Sequence, residues 1–319
     1  QMVLLSVGVK PDTGFLKDSG IVLDERGSIE VNRQLQTNMA DVYAGGDAVK
    51  IPNLVTKEAT MIALAGPANR QGRLIADHIA GLEIDYQGAL GTAIMKLFDM
   101  TVATTGINES GAKKAGIPYE KLLISSAPHA GYYPGGRNMF IKVLWHEQDH
   151  HILGAQIVGF NGVDKRIDVL ATAITLGAKV TDLSKLNLAY APPFGSGKDP
   201  INMVGYVAEN IIAGRVKQAF WNELDVIQRD GSALLLDVRT DEEAQQGMIP
   251  GAIHIPFDEL REQCEKLPKD KKIYIYCFSG VRSYSAVRYL EEMGYSAYNI
   301  SGGWSAFEKM AAEKLKEKQ

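Results

Sequence analysis

The sequence predicts a multidomain chain of mixed α/β and α+β class. Its 319 residues exceed the roughly 100–200 residues of one domain. The last third alternates apolar strands with amphipathic helices, the pattern of a parallel α/β sheet. The middle third joins two apolar strands through a polar turn and follows them with helices, as expected of an antiparallel sheet with helical cover. Shifts in character predict three units, 1–85, 86–217 and 218–319.

The elements follow in order. Residues 1–50 read as short strands and turns. The apolar β-type run Met2-Val3-Leu4-Leu5-Ser6-Val7 stands at the very start, so the chain reads as beginning partway through a larger protein. Gly27-Ser28 turns between Ile21-Val22-Leu23 and Ile29-Glu30-Val31. Residues 56–80 have helical spacing through Met61, Leu64, Ala65, Ala68, Leu74, Ile75 and Ile79, closed by Gly81. A strand is expected over 97–103 and a short helix over 108–116. Phe140–Trp145 and Ile152–Val158 form the predicted hairpin. Helices near 165–177 and 199–213 flank the loop Tyr190-Ala191-Pro192-Pro193-Phe194-Gly195-Ser196-Gly197. Strands at 233–238 and 272–276, a helix at 281–292 and a charged helix at 305–318 complete the chain.

Composition excludes several classes. The net charge of −4 supplies no basic field for nucleic acid. No apolar run approaches the ~20 residues that span a bilayer. Two cysteines, Cys264 and Cys277, make no disulfide framework, which suits a reducing cytoplasm. His146, His150 and His151 surround the turn Glu147-Gln148-Asp149, and a solvated turn accounts for them better than a metal site. Gly195-Ser196-Gly197-Lys198 lacks the upstream glycine spacing of a phosphate loop. Lys314–Lys318 reads as a solvated helix end.

Cys277-Phe278-Ser279-Gly280-Val281-Arg282 lies between a buried strand and a helix. Backbone N–H groups curling round an anionic sulfur, the positive end of the helix and the Arg282 guanidinium all favour negative charge there. Gly280 permits the tight turn. Such a sulfur can accept a second sulfur as a persulfide; the alternative is a cysteine that only packs. The loop, with Asp237-Val238-Arg239, Gly247-Met248-Ile249-Pro250-Gly251-Ala252-Ile253-His254-Ile255-Pro256 and Gly302-Gly303-Trp304, resembles the rhodanese-homology domain over about 222–312. The resemblance implies a parallel sheet flanked by helices, Cys277 as persulfide carrier, and Phe278, Ser279, Gly280 and Val281 as the persulfide loop closed by Arg282. Asp237 and Arg239 look like scaffold beneath it. Cys264, in a polar helical stretch, looks incidental.

Gly45-Gly46-Asp47 is expected to end a strand and precede a helix. An aspartate there either caps a turn or accepts hydrogen bonds from a ribityl chain. The run Thr37–Ala48, preceded by Val7-Gly8-Val9-Lys10-Pro11-Asp12, resembles the second FAD-binding motif of the pyridine nucleotide–disulfide oxidoreductases. That implies FAD contacts from Gly46, Asp47 and Ala48, and a helix bearing Pro67 and Ala68 whose N-terminus faces the flavin. Residues 1–85 then form a C-terminal remnant of the FAD-binding region, 86–217 a dimerisation domain and 218–319 a rhodanese-like domain. Within the family, Tyr190-Ala191-Pro192-Pro193-Phe194-Gly195 and Tyr132-Tyr133-Pro134-Gly135-Gly136 resemble coenzyme A-disulfide reductases that carry a rhodanese domain. This implies a homodimer, NAD(P)H, coenzyme A disulfide or persulfide as substrate, and catalytic roles for Tyr190 and Tyr132, with Tyr133 beside it, against the partner's site. Interface packing is the alternative for each phenol.

No Gly-x-Gly-x-x-Gly occurs in the sequence, and neither cysteine occupies the position of the family's redox cysteine. Three readings follow. The chain is part of a flavin reductase with an attached sulfur carrier, or a stand-alone sulfurtransferase with no working flavin site, or an interaction platform. The intact Cys277 loop argues against the third.

Overall fold

The computed structural model describes residues 3, 8–223, 231 and 233–316. The strand expected over 2–7 lies, apart from Val3, outside the described residues, as does the helix end at 317–318. The chain divides into two compact units, Gln1–Ala93 with Thr104–Ile107, and Ile94–Ala103 with Asn108–Gln319. Among the described residues, no helix is long and apolar enough to cross a membrane.

The first unit holds a small sheet. β1 (Ile29–Glu30) pairs parallel with β2 (Val49–Pro52), which pairs antiparallel with β3 (Ala59–Met61). Leu35, Val49, Ile51 and Tyr86 form its core, and Leu74 and Ile75 of helix α1 (Ala65–Ile79) pack on it. The structure departs from expectation twice. The helix expected from 56 begins at 65, because residues 53–57 form a turn in which Asn53 Oδ1 accepts from the N–H groups of Val55 and Thr56, and 59–61 join the sheet. Gly45-Gly46-Asp47 leads into strand β2 rather than directly into a helix, because Val49 and Ile51 are buried while Lys50 and Pro52 are only partly covered. That alternation is a strand's signature.

The second unit contains two sheets. β4 (Ala93–Leu97) and β5 (Met100–Gly106), of which Ala93 and residues 104–106 belong to the first unit, replace the single strand expected over 97–103. The break falls at Phe98, with φ +51°, the turn between them. The sheet runs β4-β5-β8-β7-β6, where β6 (Tyr119–Ser126), β7 (Met139–His146) and β8 (Ile152–Gly159) are antiparallel. Helices α3 (Val163–Thr175) and α4 (Pro200–Ile212) cover it through Ile167, Leu170, Ile201 and Val204, around the fully buried Trp145. The short helix α2 (Glu109–Lys114) is capped by the Asn108 side chain.

The remaining sheet is wholly parallel, ordered β11-β10-β12-β13-β9. Its strands are β9 (Gln218–Ala219), β10 (Ala233–Asp237), β11 (Ile253–His254), β12 (Lys272–Tyr276) and β13 (Ser296–Ile300). Helices α5 (Asp241–Gln245), α6 (Leu260–Gln263), α7 (Val281–Glu292) and α8 (Gly303–Lys316) connect or follow them. This sheet is joined to the antiparallel one: Ser301 Oγ donates to Leu123 O at 2.9 Å and accepts from Leu123 N at 3.1 Å.

Glu109 ties α2 to the antiparallel sheet. Burial alone pushes its carboxyl up, but hydrogen bonds from Lys142, Lys121 and Tyr119 outweigh this and hold it at about 2, against an ordinary 4.5. A depressed folded value means that this stabilisation is complete above pH 4.5 and fades as pH falls toward 2. Glu109→Gln is therefore expected to lower unfolding free energy at pH 7 by about 2 kcal/mol, with the deficit shrinking in acid. Denaturant titrations of both proteins at pH 7 and pH 3 check this, and equal stabilities at pH 7 would refute it.

Candidate functional site

The second unit's parallel sheet ends its central strands in register, with Asp237 opposite Tyr276. Ligand sites of such sheets lie beyond the carboxyl ends of the strands, and Cys277 is the first residue past that edge. Its sulfur is buried, and it accepts hydrogen bonds from Gly280 N–H at 3.1 Å and Ser283 Oγ at 3.4 Å. Gly280, with φ +109°, caps α7 in a conformation that side chains disfavour. The loop carbonyls are gripped from the other side: Trp304 N donates to Cys277 O at 2.8 Å and Ser305 N to Phe278 O at 3.0 Å. A Cβ at Gly303 would lie 2.6 Å from both carbonyl oxygens, so only glycine fits. Phe278 and Val281 are exposed on the loop's surface.

Arg282, at the loop's end, is paired with a carboxylate. Its two Nη groups donate in parallel to the Glu243 carboxylate, each at 2.7 Å. The Glu243 pairing, with the Cys277 sulfur as a lesser influence, raises the Arg282 guanidinium further above its ordinary range. Reciprocally, the Arg282 hydrogen bonds hold Glu243 below the usual carboxylate range. Glu243 also closes a capping box with Thr240 at the start of α5. The spacing Thr240-x-x-Glu243 signals that box in the sequence, but its pairing with a residue 39 positions away is visible only in three dimensions.

Beneath lies a buried ion pair. Arg239 Nη2 meets Asp237 Oδ2 at 2.6 Å, with both side chains essentially inaccessible. Arg239 further donates to Glu243 O at 3.1 Å and Gly247 O at 2.7 Å and stacks 4.1 Å from the Trp304 ring. Asp237 accepts the Arg239 backbone N–H at 3.0 Å. Both charges are satisfied, as burial demands. Arg239→Met leaves Asp237 buried and unpaired, and is expected to lower stability by about 3–5 kcal/mol. A urea midpoint equal to that of the unchanged chain would contradict the assignment.

A second cluster lies at the loops 128–136 and 190–199 of the same unit. Ala130 N donates to Gly195 O at 2.8 Å, joining them. Buried Arg166 fixes both, through Pro128 O at 2.8 Å and Asp199 Oδ2 at 2.7 Å, while Asp199 Oδ1 caps α4 through Ile201 N at 3.0 Å. Tyr132 and Tyr190 are exposed, 77% and 53%, on these loops. Their side chains meet: the Tyr190 hydrogen bond raises the Tyr132 phenol above its usual range. Tyr133 instead packs edge-on against His129, 5.4 Å between ring centroids. Arg166 and Asp199 carry no sequence motif, so only their burial reveals them.

In the first unit, Gly46 has φ +87° and its N–H donates to Gln71 Oε1 at 2.6 Å. Gln71 is buried and its Nε2 donates to Tyr86 OH at 3.2 Å. Asp47 is exposed beside this turn. The Ala48 carbonyl accepts from Ile29 N at 2.8 Å, which seats the turn on β1. Pro67 and Ala68 occupy the first turn of α1, whose N-terminus has no side-chain cap. The buried Gln71 has no motif either.

The comparisons follow this division. Residues 1–72 match the family model described as pyridine nucleotide-disulphide oxidoreductase, 92–198 the dimerisation domain of that family and 220–310 the rhodanese-like domain. A coenzyme A disulfide reductase of Staphylococcus haemolyticus is 36% identical over 211 residues, 66% of this chain and 48% of that protein. The chain spans about half the length of the curated relatives it matches. The reduced CoADR-RHD of Bacillus anthracis superposes with a TM-score of 0.91 at 48% identity, covering 95% of this chain and 55% of that one. An NAD-dependent persulfide reductase from A. fulgidus gives 0.85 at 36%, covering 93% and 53%.

Proposed function

This chain belongs to the pyridine nucleotide-disulphide oxidoreductase family and carries a rhodanese-like domain, and on that premise we propose that Cys277 is the sulfur carrier of an NAD(P)H-dependent reductase of coenzyme A disulfide or persulfide. The observation that carries the sulfur-carrier part is the Cys277 sulfur seated on the Gly280 N–H and the Ser283 hydroxyl, with Arg282 at the loop's end. The coenzyme A part rests on what the relatives are said to do, namely coenzyme A disulfide and persulfide reduction. Residues 1–85, 86–217 and 218–319 serve as flavin-binding, dimerisation and sulfur-carrier parts of a homodimer acting in the cytoplasm.

In the carrier step, the Cys277 thiolate attacks the outer sulfur of a donor such as thiosulfate. A new S–S bond forms, the donor's S–S bond breaks and sulfite leaves. Gly280 N–H and Ser283 Oγ stabilise the sulfur's negative charge before attack and when it returns. Arg282, fixed in orientation by Glu243, adds positive charge at the loop's end.

FAD fits the first unit. A Cβ at Gly46 would meet nothing within 4 Å, Asp47 is exposed and able to accept from hydroxyls, and the N–H groups of Ala65 and Gly66, just ahead of Pro67 and Ala68 in the first turn of α1, have no side-chain cap. When bound, FAD supplies the relay of two electrons from NAD(P)H to sulfur. Gly46 and Asp47 would hold the cofactor, with the buried Gln71 keeping the turn in shape. Tyr190 and Tyr132, paired on one face, would serve the partner's substrate sulfur by donating a phenolic proton.

Cys277→Ser is expected to abolish thiocyanate formation from thiosulfate and cyanide; undiminished activity would end the carrier assignment. Tyr190→Phe in the full-length dimer is expected to lower turnover of coenzyme A disulfide about tenfold or more. An unchanged rate would leave that phenol a packing residue.

A further inference from the structure

A cavity of about 470 Å³ lies between the Cys277 loop and the antiparallel half of the second unit. One wall is Ser279, Gly280 and Val281 of the loop, and another is Tyr206 and Val207 of α4. The volume suits a small organic ligand. Among the described residues, none that lines it is charged, although 23% of the chain is. Leucine, isoleucine, methionine and valine side chains alternate there with serines and amides.

Two of those amides have an oxygen without a partner among the described residues. Asn299 and Gln218 lie opposite each other on β13 and β9 and both line the cavity. Asn299 Oδ1 and Gln218 Oε1 are buried without a hydrogen-bond partner among the described residues. Asn299 Nδ2 donates to Gly280 O at 3.4 Å, which settles which end of that amide is free. Buried acceptors left unpaired are costly, and a ligand's donors would satisfy them. Gly280 is at once a wall of the cavity and the donor to the Cys277 sulfur.

We propose that this cavity seats the sulfur acceptor of Cys277, and that the acceptor is an uncharged small thiol carrying amide N–H or hydroxyl donors. The proposal rests on the carrier role of Cys277. The acceptor thiol loses its proton to solvent and its sulfur attacks the outer sulfur of the Cys277 persulfide. A new S–S bond forms, the bond to Cys277 Sγ breaks, Cys277 leaves as thiolate and the acceptor departs as a persulfide. The uncharged wall rejects acceptors bearing a carboxylate beside the thiol, because a buried unpaired charge is far costlier than a buried amide.

The test uses thiosulfate as donor with three acceptors: N-acetylcysteamine, N-acetylcysteine, which adds one carboxylate, and cyanide, which needs no seat. The chain is expected to show a KM for N-acetylcysteamine at least about tenfold below that for N-acetylcysteine. Tyr206→Glu, at a half-exposed position that tolerates charge, and Val207→Phe, which fills the cavity, are each expected to raise the N-acetylcysteamine KM about fivefold or more with thiocyanate formation unchanged. Equal KM values for the two thiols, or an unchanged KM in both variants, would overturn the acceptor cavity alone. A parent chain that forms no thiocyanate would overturn the carrier reading beneath it.

Discussion

The Arg239–Asp237 pair is the constraint on which the sulfur-bearing end of this molecule depends. Two opposite charges, both essentially inaccessible, lie just below the carboxyl edge of the parallel sheet. A buried pair of this kind holds its surroundings because neither charge can be released without leaving the other unpaired. The guanidinium fork reaches the carbonyls of Glu243 and Gly247, and its face covers the Trp304 ring. The start of α5, the turn before β11 and the start of α8 are thus referred to one point. From α8 come the two N–H groups that hold the carbonyls of Cys277 and Phe278.

The loop above inherits that rigidity. Its sulfur is held by groups whose positions are set by Gly280's left-handed backbone and by the first turn of α7. Arg282 is oriented by Glu243, a residue of α5, so the same helix anchors the loop both through Arg239 and through Arg282. A carboxylate that neutralises a nearby cation tempers its field. The pair therefore orients the guanidinium, and the backbone and hydroxyl donors make the closest contacts with the sulfur.

A parallel logic holds the loops that bear Tyr132 and Tyr190. One buried arginine, Arg166, and one capping aspartate, Asp199, join the start of α4 to both loops. The backbones that carry the two exposed phenols are thereby held at one place on the surface. In the first unit, Gln71 does the equivalent work for Gly46, and its own Nε2 is held by Tyr86.

The sequence by itself determined the mixed α/β and α+β class, the hairpin of the middle third, the strand–loop–helix around Cys277 and the glycine turn before Ala48. Each is a local pattern: apolar period, turn residue or short motif, readable because it depends on neighbours within a few positions. Boundaries were less legible where tertiary pairing overrode helical spacing, as at 59–61, or where a non-glycine residue, Phe98, took a positive φ and split a strand. The positions of Glu243 against Arg282, Ser283 beneath the sulfur, Arg166 on Asp199, and the uncharged cavity beside Gly280 were decided only by the tertiary structure. They join residues on separate elements, and side-chain burial and mutual distance have no periodic trace along a chain.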